Sequence, residues 1–343
     1  MTMEQNFLKN LYFLFSYVFH DRIFAYSKNF PSENDGNIYN LRAAVLVNSI
    51  NWYSMYGLYR EETAHPEDGA SAGGKTDLPE TIRNIADRTG HILACDFISR
   101  VLKTAAVLLL NSDEVDPEYR QELQASVQFL AAVDPVQDPK SVRWSALKSY
   151  SDNMFYRSLI ILCKLIIDGL LADRGEEPVD AFLDVKAVKK LFEKFILGFY
   201  MKECPQITAV SRCIDWALDD GFSDLLPGMS DIIELSRGES TLIIVPEFSF
   251  KPAQSGLYGS DTLRPDPLYR IFSYVKNESY NTANPVHGLL LYASTDGSTG
   301  LNHKYSMSGN QIWVRSFNLD RSFKELFMDL KFIAIEHFGE FHG

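Results

Sequence analysis

Residues 225–251, LLPGMSDIIELSRGESTLIIVPEFSFK, hold two short apolar runs separated by Ser236-Arg237-Gly238-Glu239-Ser240. Runs rich in Ile and Val, split by a Gly/Ser turn, predict a β-hairpin. An acid stands near the start of the first run (Asp231) and another just past the end of the second (Glu247). Carboxylates on adjacent strands are one way to hold a divalent metal ion for hydrolytic chemistry. A surface hairpin with two solvated acids is the plainer alternative.

Outward from the hairpin, the neighbouring segments predict a mixed sheet with helices. Val185 to Tyr200 is an amphipathic helix, with Val188, Phe192, Phe195 and Phe199 inward and Glu193 beside that stripe as a solvated acid. Leu268 to Val275 is a further helix. Gly288 to Ala293 is a buried strand, Lys304 to Met307 and Gln311 to Phe317 are later strands, and Ser322 to His337 is a closing helix. Upstream the pattern is mostly helical: Gln5–Phe19, Leu41–Tyr59, Ala94–Leu110, Pro117–Val133 and Tyr156–Leu171. The charged, Gly/Pro-containing stretch Ala172 to Pro178 is the best boundary, dividing the chain into 1–178 and 179–343. The expected class is α+β or α/β.

The chain has 343 residues, enough for two domains, and its 46% hydrophobic content is enough to fill two cores. The net charge of −12 argues against a broad nucleic-acid grip, which depends on neutralising phosphates. Cys95, Cys163, Cys204 and Cys213 lack zinc spacing and are expected as reduced thiols. The apolar N-terminus is interrupted by Lys9 and Asn10 and makes a poor signal peptide. With no run of 18 apolar residues to span a membrane, a cytoplasmic protein is expected.

Gly69 to Thr76 formally matches the phosphate-cradling GxxxxGK[ST] loop. That loop works only between a buried strand and a helix that starts at its lysine. Here a charged segment, Arg60 to Asp68, precedes it, and Pro79 follows. The match is judged spurious, and no cofactor-binding role is assigned to it.

Five segments, in order, resemble the McrC family, the second subunit of McrBC-type restriction systems. They are Phe7–Tyr17, Gly74–Leu78, Ser99–Thr104, Leu191–Phe195 and Leu225–Ile232. The resemblance implies an N-terminal domain that docks on a hexameric McrB-like AAA+ GTPase and stimulates it, GTP being bound by that partner. It implies a PD-(D/E)xK nuclease-like domain at 179–343 and, for the assembly, anti-phage restriction of double-stranded DNA. On that pattern Asp231 and Glu247 would bind Mg²⁺ or Mn²⁺. Glu193, Arg270 and Tyr274 would support the site, the last two standing where the family carries Gln-x-x-x-Tyr. The pattern departs at Val245-Pro246-Glu247-Phe248, where the family's Asp-x-Lys is degraded. Residues two apart on a strand share a face, so Lys251 is the candidate for the missing ammonium, catalytic together with Asp231 and Glu247. The alternative is a catalytically inactive McrC-like adaptor that only activates and anchors the GTPase, with cutting done by another subunit. Arg42, Arg83 and Arg88 are candidate cations toward the GTPase.

Overall fold

The computed structural model describes residues 10–15, 17, 37–54, 97–147, 154–177, 185–220, 224–248, 253–255, 261–294 and 300–340. The chain is α+β and divides into two compact units. Phe19–Ala187 form one; Met1–Val18 together with Val188–Gly343 form the other. Residues 1–18, expected with the helical half, group instead with the unit that holds Val188–Gly343. Among the described residues, no helix is long and apolar enough to cross a membrane.

The described part of the first unit is helical. Helix α1 (Ile38–Trp52) opens on Asn37, whose side chain accepts from the Tyr39 backbone N–H. The cap places α1 three residues earlier than its apolar stripe suggests. Residues 97–110 form α2, Pro117–Val127 form α3 and Met154–Asp173 form α4. Asn40 joins α1 to the start of α3 by a two-way exchange: its amide donates to the Asp116 carboxylate (2.7 Å) and its carbonyl accepts from the Asp116 N–H (3.0 Å). On α2, Lys103 donates to the Leu130 and Val133 carbonyls, and the Thr104 hydroxyl accepts from Val136 N–H. Those bonds satisfy the irregular backbone after α3. Cys163 is buried, and burial pushes its thiol well above the ordinary range.

The second unit is built on a six-stranded mixed sheet of order β1-β2-β3-β6-β8-β7. Its strands are β1 (Thr208–Ile214), β2 (Met229–Arg237), β3 (Ser240–Phe248), β6 (Val286–Ser294), β7 (Asn302–Met307) and β8 (Asn310–Asn318). A separate two-stranded ribbon, β4 (Ala253–Ser255) and β5 (Asp261–Leu263), lies between β3 and β6 in sequence. The first three strands of the large sheet form an antiparallel meander; β6 and β8 then run parallel to β3, and β7 closes the far edge antiparallel. Helices α5 (Val185–Glu203), α6 (Pro265–Asn281) and α7 (Phe323–Phe338) complete the unit.

The expected hairpin is present. Arg237 pairs with Ser240 across a two-residue turn in which Gly238 supplies φ +59°. The β7–β8 turn, Ser308-Gly309, has both residues at positive φ, the other two-residue solution. Strands β3 and β6 read as continuous apolar runs because both their faces are covered. One face packs Ile243, Val245, Leu290, Ile312 and Val314 against Ile271, Tyr274 and Val275 of α6. On the other face, Phe192 and Phe195 of α5 meet Phe317 of β8.

The N-terminal helical residues belong to this second core. Phe13 stacks on Phe323 at 4.5 Å between ring centroids, and Tyr17 meets Phe195 edge-on at 5.4 Å. The buried Asn10 amide donates to the carbonyls of Leu319 (2.6 Å) and Arg321 (2.7 Å). On α5, Gly198 admits a close backbone approach, since a Cβ there would stand 2.9 Å from the Tyr17 carbonyl oxygen.

Candidate functional site

The paired ladder of the hairpin runs from Arg237↔Ser240 to Ile233↔Ile244. Beyond its last pair the two strands reach an open end, and both sequence-predicted acids lie there. Asp231 is two residues past Ile233, and Glu247 is three past Ile244. Pro246 falls in the same place, where β2 no longer demands an N–H from β3. On the β1 side, three residue steps from Met229 to Ile232 match two from Ile214 to Arg212. Strand β2 therefore carries one extra residue at Ser230-Asp231, a bulge of the kind that re-aims side chains at strand ends. Lys251 lies outside the described residues, as do Arg83, Arg88 and the Gly69–Thr76 loop.

Glu247 is the best-defined member of the site. Its side chain is 13% exposed, and its Oε1 faces Lys189 Nζ of α5 at 3.2 Å. The same oxygen is ion-paired with the Arg270 guanidinium of α6. In the parallel ladder Glu247 stands beside Tyr292 of β6. Tyr292 is 1% exposed, and its hydroxyl has no hydrogen-bond partner among the described residues. Burial drives that hydroxyl up to about 12, against the opposing pull of Arg264 and Arg270.

The other candidates are placed as follows. Glu193 is buried rather than solvated, with Lys190 Nζ at 2.8 Å. It sits one turn after Lys189, on the same side of α5. Arg270 reaches the site directly. Tyr274, 8% exposed, packs in the core between α6 and the sheet with Ile243, Val245 and Tyr292. Arg42 is corrected: it is 3% exposed, 3.0 Å from Asp173 and beside the Tyr39 ring. A guanidinium so enclosed and paired is a strut of the helical unit, not a cation presented to a partner.

A divalent ion needs carboxylate lone pairs aimed at it and free of other cations. At Glu247 two protein cations already share the one oxygen, so a metal there would meet an ammonium and a guanidinium. This residue as placed does not fit a metal ligand. Among the described residues no group of three or more His, Cys, Asp and Glu side chains could hold a metal ion.

Sequence spacing gave no reason to single out Lys189 or Tyr292. Lys189 sits one turn before a phenylalanine stripe and reads as a solvated helix lysine. Tyr292 reads as one more aromatic in a buried strand. A second grouping was also hidden: His287 and His337 lie 5.2 Å apart, ring to ring. His337 Nε2 is 3.1 Å from Ser240 Oγ, and its ring meets Trp313 edge-on.

No protein-family model matches the chain, and no curated protein matches it.

Proposed function

We propose that this chain is an McrC-like subunit of a GTP-dependent DNA restriction complex. On this reading the sheet unit is a PD-(D/E)xK-type nuclease-like domain, and the helical unit meets an McrB-like AAA+ GTPase. The observation that carries the reading is the order α5, β1-β2-β3 meander, α6, then β6 parallel to β3. That is the helix–three-strand–helix–strand core of such nucleases, with acids on its first helix (Glu193), second strand (Asp231) and third strand (Glu247). The support comes from topology and residue placement together, since fold alone carries many functions.

The pairing of Glu247 with Lys189 and Arg270 favours the adaptor form of this reading. The chain then only activates and anchors the GTPase, and the cutting is done by another subunit of the complex. The test is to combine the chain with an McrB-like GTPase. GTP turnover is measured, along with DNA cleavage in Mg²⁺ or Mn²⁺, for wild type, Asp231→Ala and Glu247→Ala. Raised GTP turnover with cleavage unchanged in both variants is expected. Loss of cutting in both variants, with GTP turnover kept, would return the nuclease to this chain. Absence of any complex or stimulation would sink the subunit role itself.

A further inference from the structure

At the open end of β3 and β6, two cations gather on one carboxylate and a third stands near the neighbouring tyrosine. Of these, Lys189 of α5 and Arg270 of α6 pair with the carboxylate, Glu247, whereas Arg264, at the N-cap of α6, acts on the Tyr292 hydroxyl beside it. Asp266, in the first turn of α6, is exposed. Beneath them lies the Tyr292 hydroxyl, enclosed and without a partner among the described residues. Leaving a buried hydroxyl unpaired destabilises a fold, so its retention calls for an explanation. The Nε of Arg270 is likewise buried with no hydrogen-bond partner among the described residues. The enclosed Tyr292 hydroxyl and Arg270 Nε can both donate, beside two cations, and they point to an anion.

We propose that Arg270, Lys189 and Tyr292 form a metal-independent site for a phosphate group, which Glu247 holds in shape as a resident counter-anion. A guanidinium presents a planar fork that matches two phosphate oxygens, and an ammonium adds a compact charge. The tyrosine hydroxyl, un-ionised, donates to a third oxygen. Glu247 holds the same two cations through one carboxylate oxygen, so carboxylate and phosphate compete for them. In a metal-dependent nuclease a divalent ion bridges acid and phosphate; here the side-chain cations meet the phosphate directly. The assignment of that phosphate to a DNA backbone rests on the proposed function, whereas the anion site itself rests only on this cluster.

The test uses the full chain in EDTA, with a fluorescently labelled DNA duplex in one arm and inorganic phosphate in the other. Anisotropy is read in the first and thermal protection in the second. Binding without divalent ions is expected. Arg270→Ala should weaken it about tenfold and lower the salt slope by about one. Tyr292→Phe should weaken it about fivefold while the melting temperature holds or rises, because an unpaired buried hydroxyl is removed. Glu247→Gln should tighten it about fivefold or more, by relieving competition and repulsion. A gain of affinity cannot come from misfolding, so this variant keeps the test decisive. Protection by phosphate with no DNA binding would keep the anion site and remove the DNA role. The proposal is overturned if neither probe binds in EDTA, if binding appears only with Mg²⁺ or Mn²⁺, or if Glu247→Gln weakens it.

Discussion

A carboxylate is defined by what stands next to it. Glu247 was singled out by its place at the end of an apolar run, but its chemistry is set by residues 58 positions upstream and 23 downstream. Lys189 and Arg270 convert a candidate metal ligand into one partner of a three-member ion cluster. The pairing of His287 with His337 follows the same logic. Burial, and after it His287 and Lys304, hold His337 down to about 4, below the ordinary 6.5. A histidine with a depressed folded-state pKa contributes stability that is complete above about pH 6.5 and is lost as pH falls toward 4. With its ring half-buried and partly screened by solvent, the effect amounts to about 1–3 kcal/mol. Melting temperatures taken from pH 7.5 down to 4.5 should fall through that window, and His337→Phe should flatten the fall. A profile identical in the variant would show that other groups carry the acid sensitivity.

At the scale of elements, legibility followed the strength of the local pattern. The β2–β3 hairpin was readable because two apolar runs flank a glycine turn. The edge strand β1 was not: Thr208–Ile214 carries Ser211, Arg212 and Cys213, and only Ala209 and Ile214 are buried. An edge strand covered on one face has no continuous apolar run to betray it. Helix α6 was read as Leu268–Val275 and extends to Pro265–Asn281, because its last two turns are polar. Its packing rests on Gly288 of β6, where an added Cβ would stand 2.8 Å from Val275 and 2.9 Å from Ile271. Gly288→Ala should therefore push α6 off the sheet and cost about 1–3 kcal/mol in denaturant unfolding, and should shift Arg270 with it. Helix α7 opens on a reciprocal capping box between Ser322 and Glu325. Ser322→Ala should cost about 1 kcal/mol. An unchanged unfolding midpoint would show that water serves the freed N–H equally well.

For the whole molecule, the sequence separated a helical half from a mixed-sheet half by composition and periodicity. It could not show that residues 1–18 group with the sheet unit, because the hydrogen bonds that hold them there join positions 186 to 311 residues apart. The candidate site was half legible for the same reason. Asp231 and Glu247 were found from their places at the ends of two apolar runs and Arg270 through a family pattern, whereas Lys189 and Tyr292 join Glu247 only through the packing of α5 and the parallel pairing of β3 with β6. Asn10 tests this long-range closure. Replacing it with Ala leaves one buried and one part-buried carbonyl without their donor and should cost about 1–3 kcal/mol, seen as a lower melting temperature. No change would mean that the segment adds little to the unit it touches.

The same closure sets a timetable for synthesis. Asn10 leaves the ribosome 309 residues before Leu319, the backbone it must bond. At bacterial to eukaryotic elongation rates of about 5–20 residues per second, that interval is roughly 15–60 s. Throughout it the nascent chain displays Leu11, Tyr12, Phe13, Leu14 and Phe15, all destined for the interior, with no finished core to receive them. The helical unit can fold in the meantime; the sheet unit cannot close until its last helix, α7, is made. A chaperone that shields this apolar segment during translation would therefore raise the yield of this protein more than one that acts on the completed chain.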